Sequence, residues 1–308
     1  MTVLPFNERA TSMGLEEWRD GVYRYQDQYS EVVYRSICTT GEEFEPEGAH
    51  DTDRVIIPYF ALFTRAADQL NWNYCGLVSL LYKFIGNDVL NQKVRDSITE
   101  TGTPILEENT IYPPYFTRMR NEIFINSSVQ TPEVGDIVPI MIVNNTYNGT
   151  GAAMTSFGIA IKEEGRYLSF AFDLGKLRQV HIESSGTSMT SAIEDYLQVF
   201  NESITEMITR SFNTQVTEDA MLSTLDMVEE LGGKNRRQKI SKILDEITPD
   251  VTDDLPPLLP SSWQVFLAIV RYSSLEPNLN IKRLLENAAE RVLVIPTRMY
   301  EVLAKLQS

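Results

Sequence analysis

The chain has little cysteine, little histidine and a shortage of basic residues. Two cysteines, Cys38 and Cys75, in 308 residues exclude a disulfide-stapled secreted scaffold and fit a reducing compartment. Two histidines are too few for us to predict a transition-metal site. The 27 lysines and arginines are outnumbered by 43 aspartates and glutamates, which gives a formal net charge of −16. Proteins that bind nucleic acid over their whole surface are usually basic, so a nucleic-acid site on this chain would have to be local.

Long apolar runs and nucleotide-binding motifs are also missing. No run of about eighteen apolar residues occurs, so we predict no transmembrane helix and no membrane partner. The N-terminus MTVLPFNERATSM has neither a basic start nor an apolar core, which predicts no secretory signal. No phosphate-cradling Gly-rich loop is found, so no cofactor is predicted. We expect a cytoplasmic protein.

The most legible stretch is Glu133–His181. It contains three apolar runs, Ile137–Val143, Phe157–Ile161 and Tyr167–Phe172. Turn residues separate the runs, with Asn148-Gly149 in the first turn and Glu164-Gly165 in the second. Apolar, β-prone runs joined by Asn-Gly and Glu-Gly turns predict an antiparallel meander.

Helices are predicted on both sides of this meander. Apolar residues three and four apart predict helices at about Pro58–Leu70 and Tyr74–Ile98. Ser191-Ala-Ile-Glu194 has the form of a capping box at a helix start. Further helices are predicted at about Thr217–Leu231, Lys234–Ile247, Ser262–Leu275, Asn280–Val292 and Pro296–Leu306.

The predicted fold class is therefore α+β, with a central antiparallel β-meander, N-terminal helices and an all-helical C-terminal third. The turn-forming segment Ser184–Ser188 is the best candidate for a domain boundary. It divides an arm-and-sheet domain, residues 1–186, from a helical region, residues 187–308, which could share the same core.

One pair of residues suggests thiol chemistry. Cys75 follows Asn71-Trp-Asn-Tyr and is predicted to lie at a helix N-terminus, which would lower the pKa of its thiol. With the distant His181 it resembles, in spacing, the cysteine and histidine of cell-wall cysteine peptidases. The alternative is a small core cysteine and a histidine at a strand end, and one Cys with one distant His is a weak signal.

Basic residues concentrate in two places on the acidic chain. Five lie at the start of one predicted helix: Lys234, Arg236, Arg237, Lys239 and Lys242. Arg118 and Arg120 lie near Tyr112, Tyr115 and Phe116. Arginine beside aromatic residues is typical of platforms that stack single-stranded nucleic acid. The alternative is an ordinary solvated helix face.

The meander also carries a family resemblance. The segment Val143-Asn-Asn-Thr-Tyr-Asn-Gly-Thr-Gly-Ala-Ala153, preceded by Gly135-Asp-Ile-Val-Pro139, resembles the strand and turn of the phage/plasmid-like proteins, a family of unknown function. The helical tail headed by Trp263 is similar to that family as well. The resemblance implies a phage or mobile-element gene acting in a bacterial host, and it supplies no reaction and no catalytic residues.

Three functions follow from these observations. The first is a non-enzymatic phage or mobile-element protein that assists DNA metabolism by binding single-stranded DNA through the basic helix and an aromatic-lined sheet. The second is an acidic protein that binds a basic host or phage protein, as a virion component or an inhibitor of a DNA-binding enzyme. The third is a cysteine hydrolase using Cys75. A homo-oligomer is expected, because the apolar helices exceed what one core can cover.

Overall fold

The computed structural model describes most of the chain. The described residues are 16–19, 22–26, 30–39, 55–66, 70, 72–79, 85–112, 118–131, 135–147, 153–171, 189–216, 226, 234–248 and 260–307.

The N-terminal region forms an antiparallel sheet of five strands, in the order β1-β2-β3-β4-β5. The strands are β1 (Glu16–Arg19), β2 (Val22–Gln26), β3 (Ser30–Thr39), β4 (Val55–Ala66) and β5 (Asn73–Ser79). Burial in β4 alternates, since Leu62 and Thr64 are buried and Ala61, Phe63 and Arg65 are half-buried. This period of two is that of a strand with one covered face.

The predicted fold class is wrong in this region, because strands stand where N-terminal helices were expected. The helix predicted at Pro58–Leu70 is β4, and the first part of the helix predicted at Tyr74–Ile98 is β5. β4 is rich in aromatic and β-branched residues, which favour a strand. Pro58 falls where the pairing of β3 with β4 shifts register, and a proline that donates no hydrogen bond is tolerated at such an irregularity.

Helix α1 (Asn87–Glu100) begins on a buried polar network. The backbone N–H of Asn87 donates to the Tyr147 hydroxyl at 3.1 Å. The Asn145 side-chain amide donates to Asn87 Oδ1 at 2.9 Å and to the Ile85 carbonyl at 2.8 Å. These bonds join the helix start to the C-terminal end of the first predicted meander strand. Asn145 and Tyr147, from the segment that carries the family resemblance, therefore have a structural role.

A second sheet has the order β11-β10-β9-β7-β6, with β8 paired to β9. Its strands are β6 (Ile105–Ile111), β7 (Arg118–Ile125), β8 (Val129–Thr131), β9 (Gly135–Thr146), β10 (Met154–Glu163) and β11 (Arg166–Ala171). The rings of Phe124 and Tyr167 stack at 4.6 Å, although β7 and β11 are not neighbours. The sheet is therefore strongly curled.

The described helices are mostly C-terminal. They are α2 (Met189–Asn213), α3 (Lys234–Ile247), α4 (Ser262–Ser274) and α5 (Leu279–Gln307). Aromatic pairs fix two of them to the second sheet. Tyr196 of α2 stacks on Phe157 at 4.4 Å, and Phe266 of α4 meets Phe170 edge-to-face at 5.0 Å.

Two predicted helix boundaries are wrong. α2 begins at Met189, before Ser191, so the predicted capping box is not a helix start. The observed capping box lies at Ser261 and Gln264, ahead of α4. Helix α5 runs without a break through Pro296, where two helices were predicted.

The chain divides into two compact units. The first contains Met1–Arg95, Thr110–Asn121 and Val143–Met154, and the second contains Asp96–Asn109, Glu122–Ile142 and Thr155–Ser308. The first sheet belongs to the first unit and helices α2 to α5 belong to the second. The predicted boundary at Ser184–Ser188 lies outside the described residues, so the division into residues 1–186 and 187–308 stays a prediction.

Candidate nucleic-acid interface

A bulge in β5 shapes the best candidate site. Leu62 pairs with Gly76 and Phe63 pairs with Tyr74, which leaves Cys75 as an extra residue in β5. Gly76 has a φ of 144°, a backbone conformation that favours glycine. A bulge of this kind re-aims the side chains that follow it.

The bulge brings Tyr74 and Leu77 onto one face of the first sheet, although they are three residues apart. Tyr74 lies opposite Phe63 and Leu77 lies opposite Ala61, and residues two apart on a strand point to the same side. The side chains of Tyr74 and Leu77 are 61% and 53% exposed. Large side chains this exposed in an edge strand are candidates for contact with a ligand or partner.

Aromatic rings and one guanidinium complete this surface. The rings of Phe63 and Tyr74 meet edge-to-face, with centroids 5.7 Å apart. Arg65 lies over the ring of Trp72, with its Cζ 4.5 Å from the ring centroid. We call this surface the aromatic face and define it by five residues: Phe63, Arg65, Trp72, Tyr74 and Leu77.

The chemistry of the aromatic face is that of stacking. An exposed tyrosine ring offers a π surface to a nucleic-acid base, and base stacking on aromatic rings is tolerant of sequence. The Arg65 guanidinium adds a positive charge beside the indole of Trp72, and a guanidinium can stack on an aromatic face. Both groups lie on β4, β5 and the residue before β5, which form one local structure.

Cys75 lies on the opposite side from Tyr74. Its Sγ is 3.1 Å from Thr64 Oγ1 and donates to the Asn73 carbonyl at 3.3 Å. Burial raises the pKa of the Cys75 thiol, more than the hydrogen bonds with Thr64 lower it. The prediction of a helix N-terminus that lowers this pKa is therefore wrong. His181 lies outside the described residues, so its pairing with Cys75 stays a prediction.

The predicted basic helix is α3, and two of its arginines are engaged in ion pairs. Arg236 Nη2 lies 3.3 Å from Glu276 Oε2, and both side chains are largely buried. Arg237 Nη1 lies 2.6 Å from Asp226 Oδ1. Each pair offsets a positive charge that was expected to meet phosphate.

The other predicted basic residues are divided between solvent and interior. Lys239 and Lys242 of α3 are exposed, whereas the side chain of Lys234 is outside the described part of the chain. Arg118 and Arg120 lie two apart on β7, but Arg120 is only 2% exposed. Their aromatic neighbours in the sequence, Tyr115 and Phe116, lie outside the described residues. The cluster on α3 belongs to the second unit and Arg118 with Arg120 to the first.

The aromatic face was not predicted from the sequence. The aromatic face comes from the two segments that were predicted to be helices. The available signal was composition, because Tyr59-Phe-Ala-Leu-Phe63 and Trp72-Asn-Tyr74 are typical of strands.

Neither a metal site nor a membrane helix is found in the described part of the chain. Within it, no three His, Cys, Asp or Glu side chains are grouped so that they could hold a metal ion. None of the described helices combines the length and the apolar character needed to cross a membrane.

Comparison with known proteins finds no match among protein-family models, curated proteins or solved structures. The resemblance to the phage/plasmid-like proteins therefore stays a prediction.

Proposed function

We propose that the protein binds single-stranded nucleic acid through the aromatic face. The observation that supports this is the pairing of an exposed ring, Tyr74, with a guanidinium fixed over a second ring, Arg65 on Trp72. In this proposal a base stacks on Tyr74 and a phosphate meets Arg65. From the family resemblance in the sequence, we also propose that the protein comes from a phage or mobile element and acts in the bacterial cytoplasm or in a virion.

The proposed interface does not include the basic residues of α3 and β7 that were predicted from the sequence. Arg236 and Arg237 hold protein carboxylates, and Arg120 is buried. A phosphate could bind an arginine of α3 only by displacing that arginine's carboxylate partner. The displaced carboxylate would then lie close to the phosphate, and the two negative charges would repel each other. The aromatic face requires no such exchange at Tyr74.

Direct binding to a labelled oligothymidylate tests the proposal. Base stacking on an aromatic ring contributes about 1–3 kcal/mol per base, so Tyr74→Ala should weaken binding by about 5- to 150-fold. Tyr74→Phe keeps the ring and should bind like the wild type. The paired variant Lys239→Ala with Lys242→Ala tests α3 in parallel and should change affinity little.

Two results would count against the aromatic face. One is wild-type affinity in Tyr74→Ala, and the other is loss of binding in the Lys239 and Lys242 variant alone. Because the Tyr74 side chain is mostly exposed, its replacement should leave folding intact, and the unfolding midpoint of each variant checks this.

A protein partner is the second candidate function. Leu70 is 90% exposed and Leu77 is 53% exposed, and exposed leucines favour contact with another protein over contact with nucleic acid. The net charge of −16 favours a basic partner. If a basic protein from the host co-purifies with the chain, Leu77→Asp should release it and Leu284→Asp, at an exposed leucine of α5, should not. Retention of the partner by Leu77→Asp would refute this use of β5.

A further inference from the structure

Acidic residues lie opposite two arginines of the first sheet. On the aromatic face the basic member is Arg65, and it pairs with the position of Glu31 in β3. Further across the same sheet, Arg24 donates to Gln26 at 2.7 Å and lies opposite the exposed Glu16. Positive charge along this sheet is therefore interrupted by an acid, whereas rings and apolar side chains cluster on β4 and β5.

We infer that the aromatic face recognises the unstacked bases of a single strand and takes little of its affinity from the phosphates. This inference rests on the proposed function and specifies the ligand class. The ligand is an unpaired, base-bearing strand of any sequence, because ring stacking accepts every base. A duplex is excluded, since its base faces are already stacked on one another.

The salt dependence of binding separates base recognition from phosphate recognition. Each phosphate contact on a single strand contributes a slope of about −0.7 to log affinity against log salt. If the strand makes one phosphate contact, a fourfold rise in salt should weaken binding by about threefold. If five cations such as those of the α3 cluster were used, the same rise would weaken binding by about 100-fold.

Three labelled probes of equal strand length provide the experiment. They are an oligothymidylate of about ten nucleotides, an abasic strand with the same backbone, and a blunt-ended duplex without unpaired bases. We expect the full-length chain to bind the oligothymidylate at least tenfold more tightly than the abasic strand or the duplex. We also expect Tyr74→Ala to bind the oligothymidylate no better than the abasic strand, and Tyr74→Phe to behave as wild type.

The outcomes distinguish this inference from the proposed function. Equal affinity for the base-bearing and abasic strands, or a salt effect near 100-fold, would overturn base recognition while nucleic-acid binding stood. Binding of none of the three probes, even at low salt, would overturn both. Tight duplex binding would likewise reject an unpaired strand as the ligand.

Discussion

Because the ion pair between Glu122 and Lys282 is buried, breaking it should lower the free energy of unfolding by a large amount. Their side chains are 2% and 6% exposed, and Lys282 Nζ lies 3.3 Å from Glu122 Oε1. Ser169 Oγ donates to the same oxygen at 2.6 Å, and Asn109 Nδ2 donates to Oε2 at 3.4 Å. Neutral donors and the cation Lys282 therefore stabilise this carboxylate, and these residues all belong to the second unit.

Replacing Lys282 alone should be strongly destabilising. Lys282→Met keeps the length of the side chain and removes its charge, so Glu122 is left as a buried carboxylate with weaker compensation. Removing one partner of a buried pair typically costs about 3–5 kcal/mol. The double variant Glu122→Gln with Lys282→Met removes both charges, and its cost should be smaller than that of Lys282→Met, because replacing a whole buried pair is often neutral.

Urea unfolding of the wild type, both single variants and the double variant measures these costs. Lys242→Met, at an exposed lysine, is the control and should change the free energy of unfolding by no more than about 0.5 kcal/mol. The reasoning is refuted if Lys282→Met costs less than about 1 kcal/mol, the value of an exposed pair. It is also refuted if the double variant loses as much as the sum of the single variants.

Three further predictions concern packing, a buried hydrogen bond and the thiol. A Cβ at Gly158 would clash with the backbone carbonyl oxygen of Phe170 in β11, so Gly158→Ala should lower the free energy of unfolding by about 1–3 kcal/mol or more; a free energy of unfolding equal to that of the wild type would contradict this close approach. Tyr147→Phe leaves the buried Asn87 N–H without its acceptor and should cost about 1–3 kcal/mol in urea unfolding, whereas no measurable loss would argue against the bond. Burial raises the pKa of Cys75 above its ordinary 9.0, so neutral thiol persists to higher pH. In a Cys38→Ser background, alkylation by iodoacetamide should therefore reach half of its maximal rate above pH 9.0, and a half-maximal rate at or below pH 9.0 would contradict the raised pKa.

The β5 bulge obscures the period of two in this strand. In a regular strand residues three apart point to opposite faces, but the extra residue Cys75 brings Tyr74 and Leu77 to the same face. Apolar residues three apart are also the pattern of a helix. In β4 the pair Phe60 and Leu62 fits the period of a strand and the pair Phe60 and Phe63 fits that of a helix, so periodicity alone could not separate the two structures.

Features set by neighbouring residues could be predicted, and features set by distant residues could not. The turn at Glu164 and Gly165, with φ of 47° and 80°, lies where Glu-Gly was expected to reverse the chain, because turn chemistry is local. The ion pair of Arg236 with Glu276 joins residues 40 positions apart. No local pattern indicates such a pair, and it changes the expected role of α3.

The net charge does not by itself exclude a nucleic-acid ligand at the aromatic face. At physiological ionic strength the Debye length is about 8 Å, so carboxylates much further away from the ligand are largely screened. Contact chemistry within that distance then decides affinity, and there the described residues offer the rings of Tyr74 and Trp72 and the cation Arg65, which pairs with the position of Glu31. Stacking is not screened by salt as charge attraction is. An acidic chain can therefore bind a strand through its bases, whereas its negative charge would oppose binding through the phosphates.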